Sequence, residues 1–97
     1  MSRFDQAKMA LQAKKAQKEL QKLTIVAESG DGAVKVEMTG EQKIKKIHID
    51  RESIDLDDIA QLERWLEDAF REAASESAKV AAAKMKPFLE ALGLPGM

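Results

Sequence analysis

His48 and Asp50 are the first residues to consider for chemistry. In Lys46-Ile47-His48-Ile49-Asp50 they stand two positions apart, which on a strand places imidazole and carboxylate on one face, where they could share a proton or a metal ion. Neither use is completed. A metal site takes three or four ligands with hydrogen-bonded support behind them, and the chain has one histidine and no cysteine. The pair reads as an exposed histidine beside a strand-ending aspartate. Ser29 has neither the elbow sequence nor the neighbouring histidine that a nucleophile needs. Ser29-Gly30-Asp31-Gly32 is a turn, because the lysine and hydroxyl that follow the glycines of a phosphate-binding loop are missing. Asp57 and Asp58 are better explained by the start of a helix, where carboxylates meet the positive end of the dipole, than as an acid and a base. These residues predict no enzyme: no catalytic residue, no metal, no cofactor and no small-molecule substrate.

The chemistry that remains is that of charge. The formal net charge is -1, which argues against an overall basic protein, but the charges are segregated. Residues 1–23 carry Arg3, Lys8, Lys14, Lys15, Lys18 and Lys22 against Asp5 and Glu19, a net +4; residues 24–52 contribute -1 and residues 53–97 contribute -4. Lys8, Lys15 and Lys22 recur every seven residues, with Lys14 and Lys18 beside them, and Glu19 is the only interior anion of that segment. Lysines on a helix are often simply a solvated face. Here most lack an intrahelical ion-pair partner, and that imbalance points to a polyanion. Lysine is a flexible point charge suited to phosphates rather than base edges, and arginine occurs only at Arg3, Arg51, Arg64 and Arg71. Tyrosine is absent and Trp65 and Phe70 fall in an apolar stripe, so base stacking is set aside. The candidate phosphate contacts are Arg3, Lys8, Lys14, Lys15, Lys18 and Lys22, with Lys79, Lys84 and Lys86 as a weaker second set.

The elements that must position these groups are legible from periodicity. A helix is expected from about Phe4 to Leu23, with a heptad seam at Met9, Ala13, Ala16, Leu20 and Leu23. Residues 24–50 read as a three-stranded antiparallel meander. Thr24 to Glu28 form the first strand, and Asp31-Gly32 tolerates positive φ at both centres of a tight turn. Val34, Val36 and Met38 then alternate with polar residues, and Gly40-Glu41 marks a second turn. Ile47 and Ile49 alternate in the third strand, whereas Ile44 is out of phase; a bulge near Lys45 repairs the register. A second helix is expected over 55–86, with Asp55 as N-cap and Pro87 as its stop. Its stripe is Ile59, Leu62, Leu66, Ala69 and Ala73, widened by Trp65 and Phe70. At 1.5 Å per residue that helix is roughly 45 Å long, about twice a strand. Its distal half must therefore pack on the first helix or on another protomer. The tail, 87–97, is expected to dock or fray through Leu89, Leu92 and Leu94.

The fold class is thus α+β, ordered α-β-β-β-α, in one domain of 97 residues. A chain this short leaves much apolar surface near water if it folds alone, so a homodimer is expected. Val34, Val36, Ile47, Ile49, Leu62, Trp65, Leu66 and Phe70 supply its core or its shared interface. No apolar run approaches the roughly twenty residues needed to cross a bilayer. A soluble, cytoplasmic protein with no membrane partner is expected.

The order of a lysine-rich helix, an SGDG turn, a VKV strand, a TG turn, an IHID strand ending and a long acidic-to-alanine helix resembles the YbaB/EbfC family of nucleoid-associated DNA-binding proteins. The likeness spans nearly the whole chain and rests on the order and spacing of short motifs. Arg51 departs from it, standing where members often carry a proline after the last strand. The resemblance implies a tweezer-like homodimer whose projecting helices straddle double-stranded DNA, located in the nucleoid, with a role in nucleoid organisation or gene regulation. The residues alone also admit a dimeric adaptor or chaperone-like module that offers the seam of Met9, Ala13, Ala16 and Leu20 to helices of another protein.

Overall fold

A computed structural model describes residues 3–91 and 93 of the chain. Helix α1 spans Arg3–Lys22, strands β1, β2 and β3 span Ile25–Ser29, Val34–Met38 and Ile44–Ile49, and helix α2 spans Ile59–Ala91. The strands form an antiparallel sheet in the order β1-β2-β3. The α+β class and the α-β-β-β-α order are those expected.

The sheet follows its alternation. Ala27 pairs with Val36 and Ser29 with Val34, and Val34, Val36 and Met38 are buried while Lys35 and Glu37 between them are only half-buried. Complete burial of each valine contributes about 1.5–3 kcal/mol. On the other side of β2, Glu37 pairs with Lys46 but Met38 with Ile44, leaving Lys45 as the extra residue. The bulge expected at Lys45 is present. It returns Ile44 to the face of Ile47 and Ile49, because residues directly opposed across a ladder share a face.

Helix α2 covers that face along β1 and β2 and does not extend beneath β3. Ala69 and Ala73 sit fully buried against Val34 and Val36, with Leu62, Trp65, Leu66, Phe70 and Ala74 around them. The alanines bring helix and sheet backbones close, and the larger residues close the flanks. At its amino end the helix departs from expectation. Asp55 caps a turn, receiving the Asp57 amide at 2.9 Å, and Asp58 is the residue that caps α2, accepting from the Gln61 amide at 3.2 Å. With Asp55 occupied by its own turn, the chain reaches helical geometry only at Ile59. The connection from β3 is a 3-10 turn, Arg51–Ser53, capped by Asp50.

The carboxyl end also differs. Helix α2 runs through Pro87 to Ala91 instead of stopping at 86. Proline removes one bond to the carbonyl of residue 83, and since Ala83 and Pro87 are both exposed, water can satisfy that carbonyl. Leu89 is half-buried, whereas Leu92 and Leu94 of the expected docking tail lie outside the described residues. The helix of 33 residues is about 50 Å long, and strands of this length are about 17–20 Å. The overhang packs antiparallel on α1, giving an elongated molecule 64 Å in its longest dimension. The first of the two packing alternatives is thereby realised within one chain.

Gly30, Asp31 and Gly32 all have positive φ, at 61°, 60° and 88°, and the Ala33 amide closes the turn on the Gly30 carbonyl at 3.2 Å. A Cβ at Gly32 would meet nothing within 4 Å, so the cost of adding one is that of backbone conformation. Gly32→Val should destabilise the fold by about 1–3 kcal/mol. Thermal or denaturant unfolding measures it, and an unchanged midpoint would show that the turn does not need this conformation.

Candidate nucleic-acid interface

The β2–β3 turn is what sets the two helices relative to the sheet. Thr39 organises it: its amide donates to the Lys43 carbonyl at 2.7 Å, and its hydroxyl accepts from the Glu41 and Lys43 amides, each at 3.2 Å. Gln42 takes the positive-φ position, at 63°, while Gly40 is required for close approach. A Cβ on Gly40 would lie 2.9 Å from the Leu20 carbonyl oxygen, and the Gly40 amide donates to that oxygen at 2.8 Å. The other side of the turn meets α2. The fully buried Ser77 hydroxyl donates to the Thr39 carbonyl at 2.8 Å and accepts from the Gln42 amide at 3.0 Å. Ala16 and Leu20 of the α1 seam are buried beside this turn and α2, with Met9 and Ala13 half-buried. Beside the same turn the two helices border a groove of about 660 Å³, lined by Ala10, Ala13, Lys14 and Gln17 of α1, Gly40 and Gln42 of the turn, and Ala81 and Met85 of α2, among others.

This packing leaves the basic face of α1 outward, with Lys14 at the rim of the groove. Arg3, Lys8, Lys14, Lys15, Lys18 and Lys22 are all exposed. Glu19, the one interior anion of α1, is engaged elsewhere: Lys84 on α2 reaches its carboxylate at 2.8 Å. That hydrogen bond, and the charge behind it, hold the Glu19 carboxyl below its ordinary value, with Lys15 adding a smaller pull. Among the described residues none of Lys8, Lys14, Lys15, Lys18 and Lys22 has an ion-pair partner. The α2 lysines differ. Lys79 lies 3.5 Å from Glu76, Lys84 pairs with Glu19, and Lys86 lies 3.9 Å from Glu90. The structure thus separates a basic face with uncompensated charge from a second set whose charges have local partners.

The solved structure of the uncharacterized protein HP0035 from Helicobacter pylori is similar to this chain in fold, with a TM-score of 0.77 at 17% identity over 86% of this chain and 87% of that one. In sequence, a nucleoid-associated protein of Ruminiclostridium cellulolyticum is 36% identical over 93% of this chain and 79% of its own. A nucleoid-associated protein of Corynebacterium glutamicum strain R is 33% identical over 88% and 82%. The profile of the YbaB/EbfC DNA-binding family matches residues 2–92. The chain belongs to the YbaB/EbfC DNA-binding family. The family is one of DNA-binding proteins rather than enzymes.

The polar residues of this YbaB/EbfC chain that suggested chemistry have structural partners instead. The Ser29 hydroxyl donates to the Trp65 carbonyl, joining β1 to α2. Asp50 accepts from the Glu52 amide at 3.2 Å and the Ser53 hydroxyl at 2.8 Å. His48 turns to a partner the two-residue spacing did not reveal, lying 2.6 Å from Glu37 across the β2–β3 ladder. Among the described residues no cluster of metal-ligating side chains occurs, and no helix is long and apolar enough to cross a membrane. The expected core residues divide. Val34 and Val36 are buried and Leu62, Trp65, Leu66 and Phe70 pack around them, whereas Ile47 and Ile49 remain 43% exposed.

The cross-helix pair supports a pH test. A carboxyl held below 4.5 in the folded chain contributes stability that is present above its unfolded value and lost as pH falls through the folded value. Glu19→Gln should therefore lower Tm slightly at neutral pH and flatten its decline below pH 4.5. Melting curves from pH 7 to 3 measure this; parallel profiles would show that the pair does not couple the helices.

Proposed function

We propose that this chain is a nucleoid-associated protein that binds duplex DNA as a homodimer, chiefly through phosphate contacts from the basic face of α1. The uncompensated charge of that face carries the reading. Five exposed lysines on one helix lack ion-pair partners among the described residues, while the chain as a whole carries -1. Such a face suits a polyanion, and lysine suits phosphate oxygens rather than base edges. Arg3 extends the same helix toward its amino end. Lys79, Lys84 and Lys86 are a weaker set because their ammonium groups are already engaged. Family membership and the names of the relatives support DNA as the partner and the nucleoid as the location. The adaptor reading loses ground on one observation: Ala16 and Leu20 of the seam it requires are buried within the chain.

The homodimer has support from the uncovered part of the sheet. Ile44, Ile47 and Ile49 face the side that α2 covers elsewhere, yet they are 54%, 43% and 43% exposed. Leu56, which shares a cleft with Ile49, is 79% exposed, and Ile59 at the start of α2 is 46% exposed. The cleft, of about 400 Å³, lies among Ile49, Arg51, Ile54, Leu56 and Leu62. Among the described residues, one edge of β3 also has no strand beside it. A second copy placing the same patch against this one would cover both in an isologous interface and present two basic arms. Light scattering at micromolar concentration should give twice the chain mass, and Ile47→Asp with Ile49→Asp should reduce it to one. A folded wild-type monomer would overturn the dimer.

The DNA reading is tested by Lys8→Ala, Lys15→Ala and Lys22→Ala together. All three positions are exposed, and alanine retains helix propensity. In a dimer up to six phosphate contacts would be removed, so the magnitude of the log affinity against log salt slope should fall by as much as about 5, at about 0.9 per contact. Binding should weaken equally on unrelated duplexes. Circular dichroism checks the fold, and a folded triple variant with the wild-type slope and affinity would remove α1 from the interface.

A further inference from the structure

The outward face of the sheet carries a second group of lysines at the end from which α1 emerges. The Lys45 bulge is responsible for their arrangement. Lys46 pairs with Glu37 and shares its outward face, and Lys45 is the inserted residue beside it. The Lys45 ammonium donates to the Thr24 hydroxyl at 2.6 Å. Thr24 lies two residues beyond Lys22, the last residue of α1, and just before β1, the strand farthest from Lys45 in the sheet. The Lys45 side chain therefore reaches across the end of β2 and brings its charge to the foot of the basic helix. Lys43 stands in the turn that precedes β3, largely exposed and 4.0 Å from Glu41.

The local charge balance favours an anion. Lys22, Lys43, Lys45 and Lys46 meet Glu37 and Glu41 at this end of the sheet, four cations against two anions. Glu37 is held by His48 and Glu41 approaches Lys43. The Glu37 carboxyl lies below its ordinary value first through the His48 hydrogen bond and then, among smaller causes, through the charges of Lys46 and Lys45. Lys46 has no ion-pair partner among the described residues. Farther along the same face, by contrast, Lys35 pairs with Glu28 at 3.3 Å.

We propose that Lys45 and Lys46, on the outward sheet face beside the carboxyl end of α1, form a second phosphate-contact site continuous with the basic face of that helix. The inference rests on the DNA-binding reading above and extends the path of the duplex backbone from the helical arm onto the sheet. A regular strand would point two successive lysines to opposite faces; the bulge frees Lys45 from that alternation, so that one strand supplies two neighbouring cations to one surface.

The test is duplex affinity against salt for the full-length wild type, for Lys45→Ala with Lys46→Ala, and for Lys35→Ala on the same face. The double variant should reduce the slope magnitude by about 1.8 for each chain that engages DNA, from two contacts at about 0.9 each, equally on unrelated duplexes. Lys35→Ala should retain the wild-type slope. As a check independent of mutational effects on folding, amine-reactive labelling of the wild type should show Lys45 and Lys46 protected by DNA and Lys35 still reactive. A wild-type slope in the folded double variant, or undiminished labelling of both lysines in the presence of DNA, would overturn the sheet site. If the α1 triple variant lowered the slope in the same experiments, the helical arm would stand without it. A wild-type protein with no salt-dependent duplex binding would overturn both.

Discussion

The Ser77 hydroxyl is the contact on which the rest of the architecture depends. It is completely buried, donating to the Thr39 carbonyl and accepting from the Gln42 amide, so it satisfies one acceptor and one donor of a turn pressed between α1 and α2. Buried polar groups left without partners cost about 1–3 kcal/mol each. The helix is thus held at the one register that satisfies both. The same turn binds α1 through the Gly40 amide and the Leu20 carbonyl, where a side chain on Gly40 would collide with helix backbone. One five-residue connection therefore determines how the sheet, the long helix and the basic helix meet.

The electrostatic pattern follows from that junction. Once Leu20 and Ala16 are buried, the face of α1 bearing Lys8, Lys15 and Lys22 must point outward, and Glu19 comes within reach of Lys84. The pair is solvent-exposed and contributes little stability by itself. Its larger effect is on the distribution of charge, because it engages the only interior anion of α1 with a cation from α2. The lysines of α1 retain their field and those of α2 lose part of theirs. A chain of net charge -1 can in this way present a surface suited to a polyanion, with the acidic residues placed on the remainder of the molecule.

The incomplete coverage of the sheet has a similar origin. Helix α2 is one element lying across β1 and β2, and a helix about 10 Å wide covers about two strands spaced 4.8 Å apart. The third strand is left with its isoleucines uncovered. This is the same shortage of covering elements that a short chain faces in general, and a second copy of the chain is the proposed remedy.

Much of the fold and part of the candidate interface were legible in the sequence. Alternation at Val34, Val36 and Met38 determined a strand and its buried face, the phase slip at Ile44 located the bulge at Lys45, and Asp31-Gly32 marked a left-handed turn. These are properties of neighbouring residues, governed by a period of two or by local φ preference. The heptad of lysines on α1 was legible for the same reason. The helix boundaries were less so, since Asp55 and Asp58 are equally good caps by type and only the path of the chain from β3 decides between them. Long-range pairings were decided by the tertiary structure alone. That Glu19 meets Lys84, that His48 turns to Glu37 rather than Asp50, that Ser77 carries a buried junction and that Lys45 reaches Thr24 all depend on strand order, bulge geometry and the crossing of two helices. Side chains distant in sequence become neighbours only through the packing of the apolar surfaces beneath them, so periodicity could announce each element but not which charges would remain free when the elements met.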